Sequence, residues 1–170
     1  MTREAMLRGL SLGEQLAGGA RRHEREISAA VRALRGAAAD DPFAVAVVHA
    51  ATDLMNGCAA AEVRRTLPDK VPDRVLAHVL RHVLLQEDPA AVREHVVTCA
   101  RPHLGAKFAK AHPNQGVALL GGVHALAVAL APDVDPKAAL QEIASLGQDA
   151  DVVAAICGAL LGARFGSDWM

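Results

Sequence analysis

The fold of this chain is decided by one stretch of its sequence, Gly147-Gln148-Asp149-Ala150-Asp151-Val152-Val153-Ala154-Ala155-Ile156-Cys157-Gly158-Ala159-Leu160-Leu161-Gly162-Ala163-Arg164-Phe165-Gly166. Small residues recur in it every fourth position, which places them on one face of a helix. A glycine inside a helix costs about 1 kcal/mol relative to alanine, so the repeated glycines indicate close backbone contact with another helix. We expect that neighbour to be the helix that contains Gly121 and Gly122.

The composition extends this prediction to the whole chain. Of the 170 residues, 52% are hydrophobic but only 2% are aromatic. A core of Ala, Leu, Val and Gly favours closely spaced helices over a sheet, which prefers aromatic and β-branched faces. We therefore predict an all-α fold, a compact multi-helix bundle of about seven helices in a single domain over 1–170. The helices 116–130 and 149–165 are expected at its centre.

Three Asp-Pro pairs mark where helices begin. They are Asp41-Pro42, Asp88-Pro89 and Asp135-Pro136. Asp is a favoured N-cap, and proline at the first helical position gives up an amide that has no partner there. The second predicted helix runs over 42–67 and is stopped by Pro68.

Charge and cysteine content limit the partners. A net charge of −1 and very few aromatic residues give no basis for binding nucleic acid or an anionic membrane. Three cysteines without CxxC spacing are typical of a reducing compartment, and the charged N-terminus does not resemble a signal peptide. We expect a cytoplasmic protein, and its many aliphatic residues suggest a homo-oligomer.

Asp149 and Asp151 flank Ala150 at the start of the last helix. Mg²⁺ accepts one or two carboxylates and keeps several waters, so the pair can hold one such ion and take the catalytic role. Helix capping is the alternative, because acidic side chains are stabilised at a helix amino end without any metal.

Histidines supply a second candidate metal site. His49 and Asp53 have i,i+4 spacing on one helix, and His78 and His82 have it on the next. If these helices pack antiparallel, the four groups can bind Zn²⁺, Fe²⁺ or Mn²⁺. The alternative is that they are hydrogen-bonded histidines of the core or its boundary.

His124 interrupts the otherwise apolar helix 116–130. A buried imidazole without a partner costs roughly 1–3 kcal/mol. We consider His124 a candidate cofactor-binding residue, with a hydrogen bond to a backbone carbonyl as the alternative.

The segment 138–166, with LGQDADVVAAICGALLGARFG at its heart, resembles the C-terminal motif of the ADP-ribosylglycohydrolase family. That motif reads Gly-x-Asp-Thr-Asp-Thr before an Ala/Gly-rich helix, and Asp149 and Asp151 match its aspartates. The resemblance implies an all-helical fold, Mg²⁺ and cleavage of the glycosidic bond of ADP-ribose. Ala150 and Val152 replace the threonines, and Thr52-Asp53 is the closest match to the family's Thr-Asp-Asp-Thr cluster.

Three functions follow. The first is a reduced ADP-ribosylglycohydrolase-like protein that binds a divalent cation and an ADP-ribose-like ligand, with hydrolase activity in doubt. The second is a transition-metal protein that uses the histidine sites. The third is a non-catalytic interaction or scaffold protein, in which capping and packing account for every feature.

Overall fold

A computed structural model describes residues 3–18, 29–37, 39–105, 110–116 and 120–170. Within these ranges the chain is all-α and contains no strand, as the composition predicts. A short 3₁₀ turn, Arg101–His103, follows the sixth helix. The helices are α1 (Arg3–Leu16), α2 (Ala29–Leu34), α3 (Pro42–Met55), α4 (Ala60–Lys70), α5 (Arg74–Leu84), α6 (Pro89–Ala100), α7 (Gly122–Ala129), α8 (Pro136–Ser145) and α9 (Ala150–Phe165).

The three Asp-Pro pairs begin helices, as predicted. Asp41, Asp88 and Asp135 are the N-caps of α3, α6 and α8, and each side chain accepts a backbone N–H of the first turn. Their acceptor atoms lie 2.9–3.0 Å from the donor nitrogens. Asp73 caps α5 in the same way without a following proline. Local capping chemistry therefore fixes four helix starts.

The predicted helix over 42–67 is wrong, because the segment forms two helices. α3 ends at Met55, and the chain turns through Asn56 and Gly57 before α4 begins. Gly57 has φ +87°, a conformation that glycine adopts without steric penalty. Pro68 lies inside α4 and does not end it.

α9 is the central helix of the described fold. Every residue from Val152 to Ala163 is buried, and α9 packs against α1, α2, α3, α7 and α8. All eight residues of α7 are buried as well. The described parts of these two segments therefore lie at the centre, as predicted. α7 covers only 122–129 of the predicted helix 116–130, and residues 117–119 lie outside the described residues.

The partner of the glycine face on α9 is α1, so the expectation of the Gly121-Gly122 helix is wrong. A Cβ at Gly158 would lie 2.0 Å from the carbonyl oxygen of Gly9, and one at Gly162 would lie 2.2 Å from that of Ala5. α1 carries its own small residues at four-residue spacing, and the two faces meet without side chains between them. Gly121 contacts α9 through Val153, a larger side chain.

A search of the described helices finds none that is both long and apolar enough to cross a membrane.

Candidate functional site

The two predicted carboxylates lie in a tight turn before α9, the segment Gly147–Asp151, which we call the acidic turn. Gly147 and Gln148 both have positive φ, +77° and +58°. These two residues lie in the short turn between the end of α8 at Ser145 and the start of α9 at Ala150. Asp149 is the N-cap residue of α9, and Asp151 lies half-buried in its first turn.

Asp149 does not cap α9 with its side chain. Its Oδ2 instead accepts the backbone N–H of Gly116 at 2.7 Å, across to the loop before α7. A carboxylate offers about four acceptor positions, so this bond leaves acceptor capacity on Asp149. The side chain of Asp149 therefore does not form the helix-capping hydrogen bond that the alternative predicted.

The loop 112–116 is held against the acidic turn by Asn114, which is fully buried. Its Nδ2 donates to the carbonyl of Ile143 at 3.0 Å and to that of Gly147 at 3.3 Å. Its backbone N–H donates to Nδ1 of His112 at 3.1 Å. Asn114 thus joins the loop to the end of α8 and to the acidic turn.

His124 lies behind this loop and is 1% exposed. Its Nδ1 is 2.9 Å from Oδ1 of Asn114. Because Nδ2 of Asn114 donates to two carbonyls, Oδ1 is the acceptor and Nδ1 of His124 carries the hydrogen. The partner of His124 is therefore an asparagine side chain, not the backbone carbonyl that was the alternative to ligand binding.

Burial keeps the imidazole of His124 neutral. Desolvation lowers the pKa of His124 to about 3, and electrostatic interactions with Arg93 and His112 act in the same direction. A neutral His124 can donate to Asn114 throughout the physiological pH range.

The structure does not assemble the four-group site predicted from His49, Asp53, His78 and His82. Asp53 forms an ion pair with Lys70 at 2.5 Å, while His49 is exposed on α3. Nowhere in the described ranges do three or more His, Cys, Asp or Glu side chains lie close enough to hold a metal ion. The His49–Asp53 pair on α3 and the His78–His82 pair on α5 therefore do not form one metal site.

His78 and His82 do lie together, as their i,i+4 spacing predicts. Their ring centroids are 4.4 Å apart, and the ring of His103 lies edge-on to His78 at 6.2 Å. All three side chains are exposed, which excludes the core alternative for them.

Sequence reasoning missed Asn114 and Gly116, because a single asparagine and a loop amide carry no pattern. It also passed over Asp40-Asp41. These adjacent carboxylates precede α3 and are the one Asp-Asp pair in the sequence. In the structure Asp41 caps α3 and Asp40 is exposed.

The acidic turn contains two carboxylates, and among the described residues no third His, Cys, Asp or Glu joins them in a cluster that could hold a metal ion. Two carboxylates plus waters satisfy Mg²⁺, which often binds proteins in this way. Ala150 and Val152 are buried aliphatic residues and offer no hydroxyl. Asp53 is already neutralised by Lys70.

These features define a protein that is all-helical over the described residues, with a carboxylate pair at the entrance of its central helix. The family model of the ADP-ribosylglycohydrolases matches residues 5–170. The chain therefore belongs to the ADP-ribosylglycohydrolase family, and the similarity extends far beyond the segment 138–166. No curated protein and no solved structure matches the chain.

Proposed function

We propose that this chain is a ligand-binding member of the ADP-ribosylglycohydrolase family with little or no hydrolase activity. In this proposal Asp149 and Asp151 hold one divalent cation at the acidic turn. The cation supplies positive charge for the diphosphate of an ADP-ribose-like ligand. Family membership supports the ligand class, and the carboxylate pair supports the cation.

The observation that carries the proposal is the contact between Asp149 and Gly116. A carboxylate that served only as a cap would accept the amides of its own helix. Asp149 is instead fixed from the opposite side, by the loop before α7. This hydrogen bond orients the carboxylate of Asp149 and leaves its other acceptor positions for an ion.

In this arrangement Asn114 and His124 support the site and do not act on the ligand. Asn114 fixes the loop that donates to Asp149, and neutral His124 fixes Asn114. Residues that orient a binding group commonly affect binding affinity nearly as strongly as the group itself.

Weak or absent hydrolysis follows from what surrounds the carboxylates. Two buried aliphatic side chains, Ala150 and Val152, stand where the family motif has threonine. The Thr52-Asp53 pair is no substitute, because Asp53 is engaged with Lys70. A single ion would lack the second metal that, in two-ion sites, stabilises the attacking and leaving oxygens together.

We also propose that the protein resides in a reducing cytoplasm. Cys157 is fully buried, and desolvation raises the pKa of its thiol, so it stays protonated and inert.

Calorimetric titration of the full chain with ADP-ribose tests the proposal. We expect binding in Mg²⁺ and at least tenfold weaker binding in EDTA. The double variant Asp149→Asn, Asp151→Asn should lose the Mg²⁺ dependence. Asp69→Asn is the matched control, because Asp69 is exposed in α4, which packs against α3 and α5.

Two results would contradict the proposal. If the wild-type chain does not bind ADP-ribose in millimolar Mg²⁺, the ligand is wrong and an interaction or scaffold role is favoured. If the double variant binds as wild type does, the acidic turn is not the site. Efficient release of ADP-ribose from a modified peptide would refute the low hydrolase activity.

A further inference from the structure

One face of α5 carries four exposed side chains, which we call the His stripe: Val75, His78, His82 and Leu85. Val75 is 39% and Leu85 is 69% exposed, and both histidines between them are exposed. At 3.6 residues per turn these positions fall within about 80° of the helix circumference. The stripe is therefore one continuous exposed surface, with the ring of His103 beside His78.

The two imidazoles of the stripe supply half of a tetrahedral metal site. Their centroids are 4.4 Å apart with the ring planes at 60°, so both can approach one ion. Zn²⁺ takes four ligands in structural sites, and imidazole is one of its preferred donors. Among the described residues no third His, Cys, Asp or Glu joins the pair in a metal-binding cluster, so that part of one copy supplies only two ligands.

The stripe is symmetrical about its middle. Residues 75 and 85 lie equally far from position 80, and so do 78 and 82. A two-fold axis perpendicular to α5 at this level brings Val75 to the level of the partner's Leu85 and His78 to the level of the partner's His82. Such self-complementary faces are what a two-fold symmetric dimer requires.

We infer that two copies of this chain pair through antiparallel α5 helices around one transition-metal ion of the Zn²⁺ class. His78 and His82 of both copies bind the ion, and Val75 and Leu85 close the interface at its two ends. The inference does not depend on the proposed ADP-ribose site, which lies at the acidic turn.

The metal is needed because the surface alone is poorly suited to pairing. Arg74 and Arg81 occupy neighbouring angular positions at one edge of the stripe. The two-fold axis brings these edges to the same side, where like charges oppose association. Two exposed apolar side chains per copy are a small contact for a stable dimer.

Sedimentation velocity of the full chain at micromolar concentration, in ZnCl₂ and in EDTA, tests the inference. We expect a monomer in EDTA and a dimer in ZnCl₂, with one ion per two chains by elemental analysis. His78→Ala and His82→Ala should each weaken the Zn²⁺-dependent association at least tenfold. His49→Ala, an exposed histidine on α3, is the control and should dimerise as wild type does.

Replacing exposed side chains should leave the fold intact, and circular dichroism checks this. Absorption after Co²⁺ addition gives a second reading, because four-nitrogen tetrahedral coordination produces intense visible bands. A monomer in ZnCl₂, one ion bound per chain, or a dimer unaffected by His82→Ala would overturn the inference. A dimer that persists in EDTA would also overturn it, since the apolar contacts would then suffice.

Discussion

The backbones of Gly9 and Gly158 touch where α1 crosses α9. A Cβ on Gly158 would lie 2.0 Å from the carbonyl oxygen of Gly9, and a Cβ on Gly9 would lie 2.0 Å from that of Gly158. The contact is reciprocal and involves main-chain atoms only. Neither glycine can therefore gain a side chain unless the two helices move apart.

Gly158→Ala should destabilise the protein although alanine is the better helix former. The propensity gain is about 1 kcal/mol. Overpacking costs about 1–3 kcal/mol, and the upper end applies because the clash is with rigid backbone. We expect a net loss of about 1–2 kcal/mol in urea denaturation.

The control for this variant is Gly105→Ala. Apart from its chain neighbours, no heavy atom of the described residues lies within 4 Å of a Cβ at Gly105, so its effect should stay within about 0.5 kcal/mol. Equal stability of Gly158→Ala and wild type would contradict the tight crossing of α1 and α9.

The helical class and the capped helix starts could be predicted because their causes are local. Asp41-Pro42 begins a helix whatever surrounds it. The break at Gly57 was missed, because Asn-Gly in a helical pattern does not by itself require a turn. The partner of Gly158 was missed because the pairing of distant segments depends on both faces, and the small residues of α1 are far from α9 in the sequence.

His124 should make stability depend on pH. Its folded pKa is about 3, against 6.5 for an exposed imidazole, so it is neutral in the folded state and takes up a proton on unfolding below pH 6.5. Stability must therefore fall as pH falls from 6.5 towards 3. Between pH 6.5 and 5 this contributes a loss of about 1.5 kcal/mol.

Urea denaturation of wild type and His124→Gln at pH 6.5 and pH 5 isolates this contribution. The variant is expected to be less stable at both pH values but to lose about 1.5 kcal/mol less between them. If both proteins lost the same free energy of unfolding between pH 6.5 and pH 5, His124 would not be held neutral in the folded state.

Asn114→Ala should be among the costly single substitutions. It removes the side-chain donor to the carbonyls of Ile143 and Gly147 and the acceptor of the Nδ1–H of His124. The Ile143 carbonyl keeps the N–H of Leu146, so the Gly147 carbonyl and His124 bear most of the cost. Unsatisfied buried groups cost about 1–3 kcal/mol each, but the loop can relax and admit water. We expect a total loss of about 2–4 kcal/mol, measured by thermal or urea unfolding, against less than 0.5 kcal/mol for exposed Asp69→Asn.

The candidate site was only partly predictable from the sequence, because backbone groups and contacts between distant segments help to form it. Asp149 and Asp151 carry a pattern that sequence reasoning can find, and their place before α9 is as expected. The donor to Asp149 is a backbone amide of Gly116, and any residue except proline would supply it. The histidine site failed because His49 and His78 lie on different helices, and helix order along the chain does not determine which faces meet.

Two substitutions at Asp149 should separate its structural role from its charge. Asp149→Asn keeps an oxygen that accepts the Gly116 N–H and removes only the favourable charge at the helix amino end, worth about 0.3–1 kcal/mol. Asp149→Ala removes both, and a hydrogen bond to a charged group contributes about 1.5–3 kcal/mol. We expect urea denaturation to show a loss below about 1 kcal/mol for the asparagine and about 2–3 kcal/mol for the alanine.

Asp135→Ala is the matched comparison, because Asp135 caps α8 with its side chain and its loss should cost about 1 kcal/mol. If Asp149→Asn proved as damaging as Asp149→Ala, the Gly116 contact would not be what holds the loop. A stable Asp149→Asn protein that no longer responds to Mg²⁺ would show that the charge of this residue serves the ion and its hydrogen bond serves the fold.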